Sequence, residues 1–137
     1  MGNLRIQFDE KEALRYFGAR PGDDQAKVTV DRAFLQLRNE VQPRNILQQW
    51  SCRVIQGTER EKGRVILENG TEFVSSGLAR HLEGCDALLL FGATLGARVD
   101  TALRRISIRS IAEGAAAQAV ASSLIESYLD QQEILWK

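Results

Sequence analysis

Two cysteines and a single histidine are all the thiol and imidazole chemistry in this chain of 137 residues. Cys52 and Cys85 are too few, and too far apart in sequence, for a disulfide-stapled miniprotein. A zinc site built on His81 would need carboxylates to complete it. Charge of one sign is also missing: 18 basic residues balance 18 acidic ones. No overall field therefore draws the chain to nucleic acid or to an anionic membrane, and binding to either would need a local patch. Charges interrupt every apolar run before it reaches membrane-spanning length. The N-terminal "MGNLRIQFDEKEALRYFG" carries acids where a secretory signal has an unbroken apolar core, and Ile6 stands where a myristoylation signal wants Ser or Thr. These absences predict a cytoplasmic protein with reduced thiols, and neither nucleic acid nor membrane as a partner.

What is present is ordinary for a soluble domain: 44% apolar and 26% charged residues, enough for one core. Asp9 and Glu12 form a capping-box pattern that opens a short helix ending at Gly18. Pro21-Gly22 marks a turn. Ala26, Val30, Phe34, Leu37 and Val41 then recur at helical spacing, predicting a helix from Asp24 to Val41 stopped by Pro43. The period changes in "NILQQWSCRVIQG" and "GRVILENG", which read as an antiparallel strand pair around the polar "GTEREKG". "TEFVSSG" adds a short strand, with Ser75 or Ser76 capping a small helix. "DALLLFG" has the continuous apolar character of a buried strand. Two helices follow. Leu95, Val99, Leu103 and Ile106 line one face of the first, and Ser110 with Glu113 caps the second. With no internal repeat and no long linker, residues 1–137 read as one α+β domain, with helices at both ends and a small mixed or antiparallel sheet between.

Each candidate site has a plainer structural reading. "GATLGA", Gly92 to Ala97, resembles a phosphate loop but lacks the established glycine spacing and the phosphate lysine, so a structural strand-to-helix turn is preferred. Arg98, Arg105 and Arg109, with Arg104 beside them, could hold an anion, yet arginines spaced by seven and four more often form a solvated helix face. Glu126 and Asp130, four apart, can face the same way and bind a cationic group or a ribose, or remain two solvated acids. The run of small residues from Ala115 to Ser123 suits close packing of the last helix on the sheet. Trp50, Trp136, Tyr16 and Phe34 form no stacking platform for single-stranded nucleic acid. His81 and Cys85 lack a third group to orient a nucleophile.

Three motifs occur in a fixed order: "EALRYFG", "HLEGCDALLLFGATLGARVDTALRR" and "AEGAAAQAVASSLIESYLD". Together, over roughly Asp9 to Asp130, they resemble the activation-domain-like family of vitamin B12-dependent methionine synthase, in particular its small stand-alone bacterial members. The resemblance implies that family's α+β fold and a role in methionine biosynthesis. The role is S-adenosylmethionine-linked reductive methylation, which returns inactive cob(II)alamin to methylcobalamin in a methyltransferase. It further implies S-adenosylmethionine as cofactor and cobalamin carried by a partner, either methionine synthase or another corrinoid protein. The electron donor would be of flavodoxin or ferredoxin type. Glu126 falls at the family's acidic position near S-adenosylmethionine, with Asp130 one turn later. Thr94, Gly96 and Asp100 of the middle motif come with it as cofactor-binding candidates.

One family motif is missing: no Arg is followed four residues on by Gly-Tyr. The resemblance then implies a shortened member, or a partner chain or second copy in a homodimer that supplies the loop. The competing expectation is a non-catalytic interaction or assembly module that keeps the fold without S-adenosylmethionine binding. A third is a small-molecule enzyme using the Gly92–Gly96 loop and the arginine face.

Overall fold

The structure, a computed structural model, describes residues 6–136. It is mixed α+β and its described residues form two compact units, residues 6–45 with 93–136, and residues 46–92.

The first unit is helical, and its first two helices start where side-chain oxygens meet free N–H groups. In α1 (Glu10–Phe17) the Asp9 carboxylate accepts from Glu12 N–H at 3.2 Å. In α2 (Asp24–Leu37) Asp23 does the same for Ala26 at 3.0 Å. Gly18 closes α1 in the left-handed conformation, φ 80°. The expected extension of α2 to Val41 does not occur. Pro43 disfavours helical backbone at Gln42, whose N–H instead donates to Leu95 O at 2.8 Å. Val41 still reaches the core, from an extended connection rather than a helix face.

Two further helices, α4 (Ala97–Arg109) and α5 (Ile111–Trp136), complete this unit. Ser110 Oγ accepts from Glu113 N–H at 3.2 Å where α5 starts. Val30, Leu37, Val99, Ile106 and Val120 are almost wholly buried together. The small residues of α5 serve helix-on-helix packing. Ala116, Ala117 and Ser123 are buried where α5 runs against α1, α2 and α4. Three helices around one require short side chains at the crossings. At the tightest, a Cβ on Gly114 would lie 2.5 Å from Ser107 Oγ.

The second unit is built on a four-stranded antiparallel sheet, order β3-β2-β1-β4, from β1 (Arg44–Ile55), β2 (Arg64–Leu67), β3 (Glu72–Val74) and β4 (Ala87–Thr94). β1 pairs β2 with Cys52 opposite Leu67 and Val54 opposite Val65, and β2 pairs β3 with Val65 opposite Phe73. Ser75 caps α3 (Ser76–His81), which packs on β2 and buries Ala79 beside Val65 and Leu67. Cys52 N–H donates to Asp86 O at one end of the β1–β4 ladder, and Gly92 faces Ile46 at the other. The "DALLLFG" strand therefore exists, but it is not buried: Leu89 and Phe91 are 50% and 52% exposed. It is an edge strand, so its apolar run reflects strand propensity rather than enclosure on both faces.

Candidate functional site

Thr94, Gly96 and Asp100 mark the entry to α4. Thr94 Oγ1 accepts from Gly96 N–H at 3.0 Å, tightening the turn after β4. Gly96 precedes the helix at φ 99°, ψ 158°, a region that essentially only glycine visits. A Cβ there would meet Gln42 O at 2.9 Å. The glycine thus serves a close approach of two backbone segments. A phosphate at this helix start would also face Asp100 in the first turn, a like charge where a cation would be needed.

Glu126 and Asp130 are both exposed on α5. Between them Tyr128 turns inward, its hydroxyl accepting from Asn45 Nδ2 at 2.6 Å, while Asn45 also donates to Gln132 Oε1 at 3.3 Å. This anchor holds the register of the C-terminal turns of α5 against the segment entering β1. Asp130 lines an open groove of about 510 Å³ with Gln7, Asp9, Glu10, Lys11 and Ser127. Its electrostatics are crowded. Lys27 lies 3.8 Å from Glu10 and 3.5 Å from Asp31, and Glu10 is pushed above the usual carboxylate range, first by its hydrogen bond to Asp31 and then by burial.

Asp100 lines a different groove, of about 670 Å³, with Arg104, Ser107 and Gln118. Glu126, Thr94 and Gly96 line neither of the two. The five candidates are therefore not gathered into a single pocket of this unit. Arg98 pairs with Glu40 at 2.8 Å while staying exposed, and Arg104, Arg105 and Arg109 are exposed along the same helix.

In the β unit His81 ends α3, exposed, and Cys85 lies in the turn beyond it. Among the described residues no three His, Cys, Asp or Glu side chains are grouped to hold a metal ion. The fold sets Cys52 opposite Asp86, the residue after Cys85, through the Cys52 N–H that donates to Asp86 O.

The fold and these surfaces define a class: an α+β chain with open, charged grooves on a helical unit, and no described helix long and apolar enough to cross a membrane. The sequence matches no protein-family model and no curated protein.

Proposed function

We propose that the chain is an accessory, reactivation-type module for a cobalamin-dependent methionine synthase, acting with a partner chain. The observation that supports this reading is the order of the three family-like motifs. They fall on α1, on the run from α3 through β4 into α4, and on α5. S-adenosylmethionine would supply the methyl group, and the partner's cobalamin would receive it; this chain would bind and orient. The groove beside Asp130 suits the cationic half of S-adenosylmethionine, since Asp130 offers a carboxylate toward a sulfonium or ammonium. It suits the rest less well. Lys11 is the one cation among its described lining residues, and Phe8 is already stacked on Phe34 with ring centroids 4.1 Å apart.

Calorimetric titration with S-adenosylmethionine tests the cofactor half. Asp130→Asn is expected to weaken binding about tenfold, the worth of one charge-assisted contact, with Glu126→Gln doing less because Glu126 lies outside the groove. No heat with wild type at millimolar ligand would remove that half. Failure to co-elute with a corrinoid-loaded methionine synthase on gel filtration would remove the partner half.

A second reading, an interaction module without S-adenosylmethionine, is favoured by one observation: the motif residues are divided among separate surfaces. Co-elution with the partner, together with silent calorimetry, is the outcome that selects it.

A further inference from the structure

The two edges of the sheet are finished differently. β3, at one edge, is three residues long and carries Glu72, ion-paired with Arg64 at 3.0 Å. Short length and charge both discourage another chain from pairing with an edge strand. β4, at the other edge, is eight residues long and has neither charge nor proline from Ala87 to Thr94. Cys52 N–H donates to Asp86 O at 2.9 Å, and a Cβ on Gly92 would lie 3.5 Å from Ile46 Cγ2. Ile46 to Cys52 and Asp86 to Gly92 are equal steps along their strands, so one antiparallel register joins the two contacts. Backbone groups in such a ladder alternate in direction. With Asp86 facing β1, Leu88 and Leu90 face it too, while Ala87 and Leu89 turn their N–H and C=O groups to the outer edge. Among the described residues no further strand meets that edge. Exposed apolar side chains gather at the same place. Ile46, Leu47, Leu89, Leu90 and Phe91 are all exposed, and alternation divides them between the two faces of the β1–β4 ribbon. An occupant stacked on one face would leave the other uncovered, whereas a strand added at the edge covers both.

We propose that the outer edge of β4 is an interaction surface whose occupant is a second copy of this chain, the two β4 strands pairing antiparallel about a two-fold axis. Charge selects the second copy. An uncharged strand meets its twin with no like charges opposed, and the Arg64–Glu72 pair stays at the far edge of each sheet. With the axis at Leu89, that residue exchanges both backbone bonds with its own copy. Ala87 then lies opposite Phe91, small against large, and Leu88 lies opposite Leu90. Asp86 meets Gly92 rather than another acid. A strand bearing charges would find nothing here to pair them. One strand edge buries less than the about 800 Å² per partner of a stable dimer, so the dimer forms reversibly. The argument lies within residues 46–92 and involves neither S-adenosylmethionine nor methionine synthase, so its failure would leave the proposed function standing.

The test is sedimentation velocity of the full chain from micromolar to millimolar concentration. Wild type is expected to shift from monomer to a species of twice the mass and no larger, since a two-fold contact uses up the edge of both copies. Leu89→Lys should raise the dissociation constant at least about tenfold, because two lysines would meet at the axis. Leu89→Pro removes only an outward N–H, a change that edge strands tolerate. It should abolish the dimer while circular dichroism and the urea midpoint stay close to wild type. Val74→Lys, exposed on β3, should leave association unchanged. A wild type that stays monomeric throughout would overturn the proposal, as would association that grows past the dimer. An unfolded Leu89→Pro would show that this N–H faces β1 and overturn the register. Equal weakening by Val74→Lys and Leu89→Lys would move the contact to the sheet face and overturn the edge assignment.

Discussion

At the scale of single residues, the sharpest constraint falls on Gly96. Its backbone lies in a region that costs a side-chain-bearing residue about 1–3 kcal/mol, and a Cβ would press on Gln42 O at 2.9 Å. Neither partner there is a flexible side-chain end, so nothing yields cheaply. Gly96→Ala is expected to destabilise by about 2–4 kcal/mol, read as a lower urea midpoint at unchanged slope. A change of a few tenths would mean the strand-to-helix entry relaxes freely. Glu10 offers a test by pH. Its folded pKa is raised, first through Asp31, so between the unfolded and folded values the native chain holds the extra proton. Stability must then fall as pH rises through that window. Glu10→Gln removes this slope. The variant's melting temperature relative to wild type should improve from pH 4 toward pH 7. The gain stays below about 1 kcal/mol, because the group is partly solvent-screened and Lys27 offsets part of the repulsion. A difference that is constant with pH would rule out the shared-proton picture.

The elements show why the helices could be read from the sequence and the sheet's faces could not. Asp9, Ser75 and Ser110 act over three residues, so their caps are written locally, and all three form as expected. Burial is not local. "DALLLFG" has the composition of an enclosed strand, yet Leu89 and Phe91 stay exposed, because what covers a sheet face is set by distant parts of the chain. The small residues of α5 mislead in the same way: they announce a close neighbour without saying that the neighbour is a helix. Gly114 makes this measurable. On propensity alone Gly114→Ala should stabilise α5 by about 1 kcal/mol. The new methyl, however, would lie 2.5 Å from Ser107 Oγ, 2.9 Å from its Cα and 3.0 Å from its Cβ. Overpacking of this kind costs about 1–3 kcal/mol, so a net loss is expected. Ser107→Gly in the same background should return only part of it, since the crowding against the residue 107 backbone remains. A stabilised Gly114→Ala would mean α4 and α5 can separate at little cost.

For the whole molecule, the balance of 18 basic against 18 acidic residues is a statement about how partners are met rather than which. The acids of the Asp130 groove and the exposed Arg104, Arg105 and Arg109 are local and opposite in sign. Neither dominates at distances beyond the Debye length, about 8 Å at physiological salt. Any partner would therefore be captured by contact and not steered over long range. That separates the candidate site, only partly legible as residues, from a property of the chain that composition states outright. The motifs nominate Glu126, Asp130, Thr94, Gly96 and Asp100, but their grouping depends on helix packing that no local pattern encodes. The absence of a net field depends on counting alone. If the methionine synthase complex forms, its dissociation constant should change by less than about fivefold when salt rises from about 50 to 500 mM. Association rates should stay near the unsteered range of about 10⁵–10⁶ M⁻¹s⁻¹. A steep loss of affinity with salt would show that the arginine face of α4 is the docking surface after all. Arg104→Gln with Arg105→Gln should then abolish that dependence, whereas contact-driven capture leaves the salt profile of the double variant unchanged.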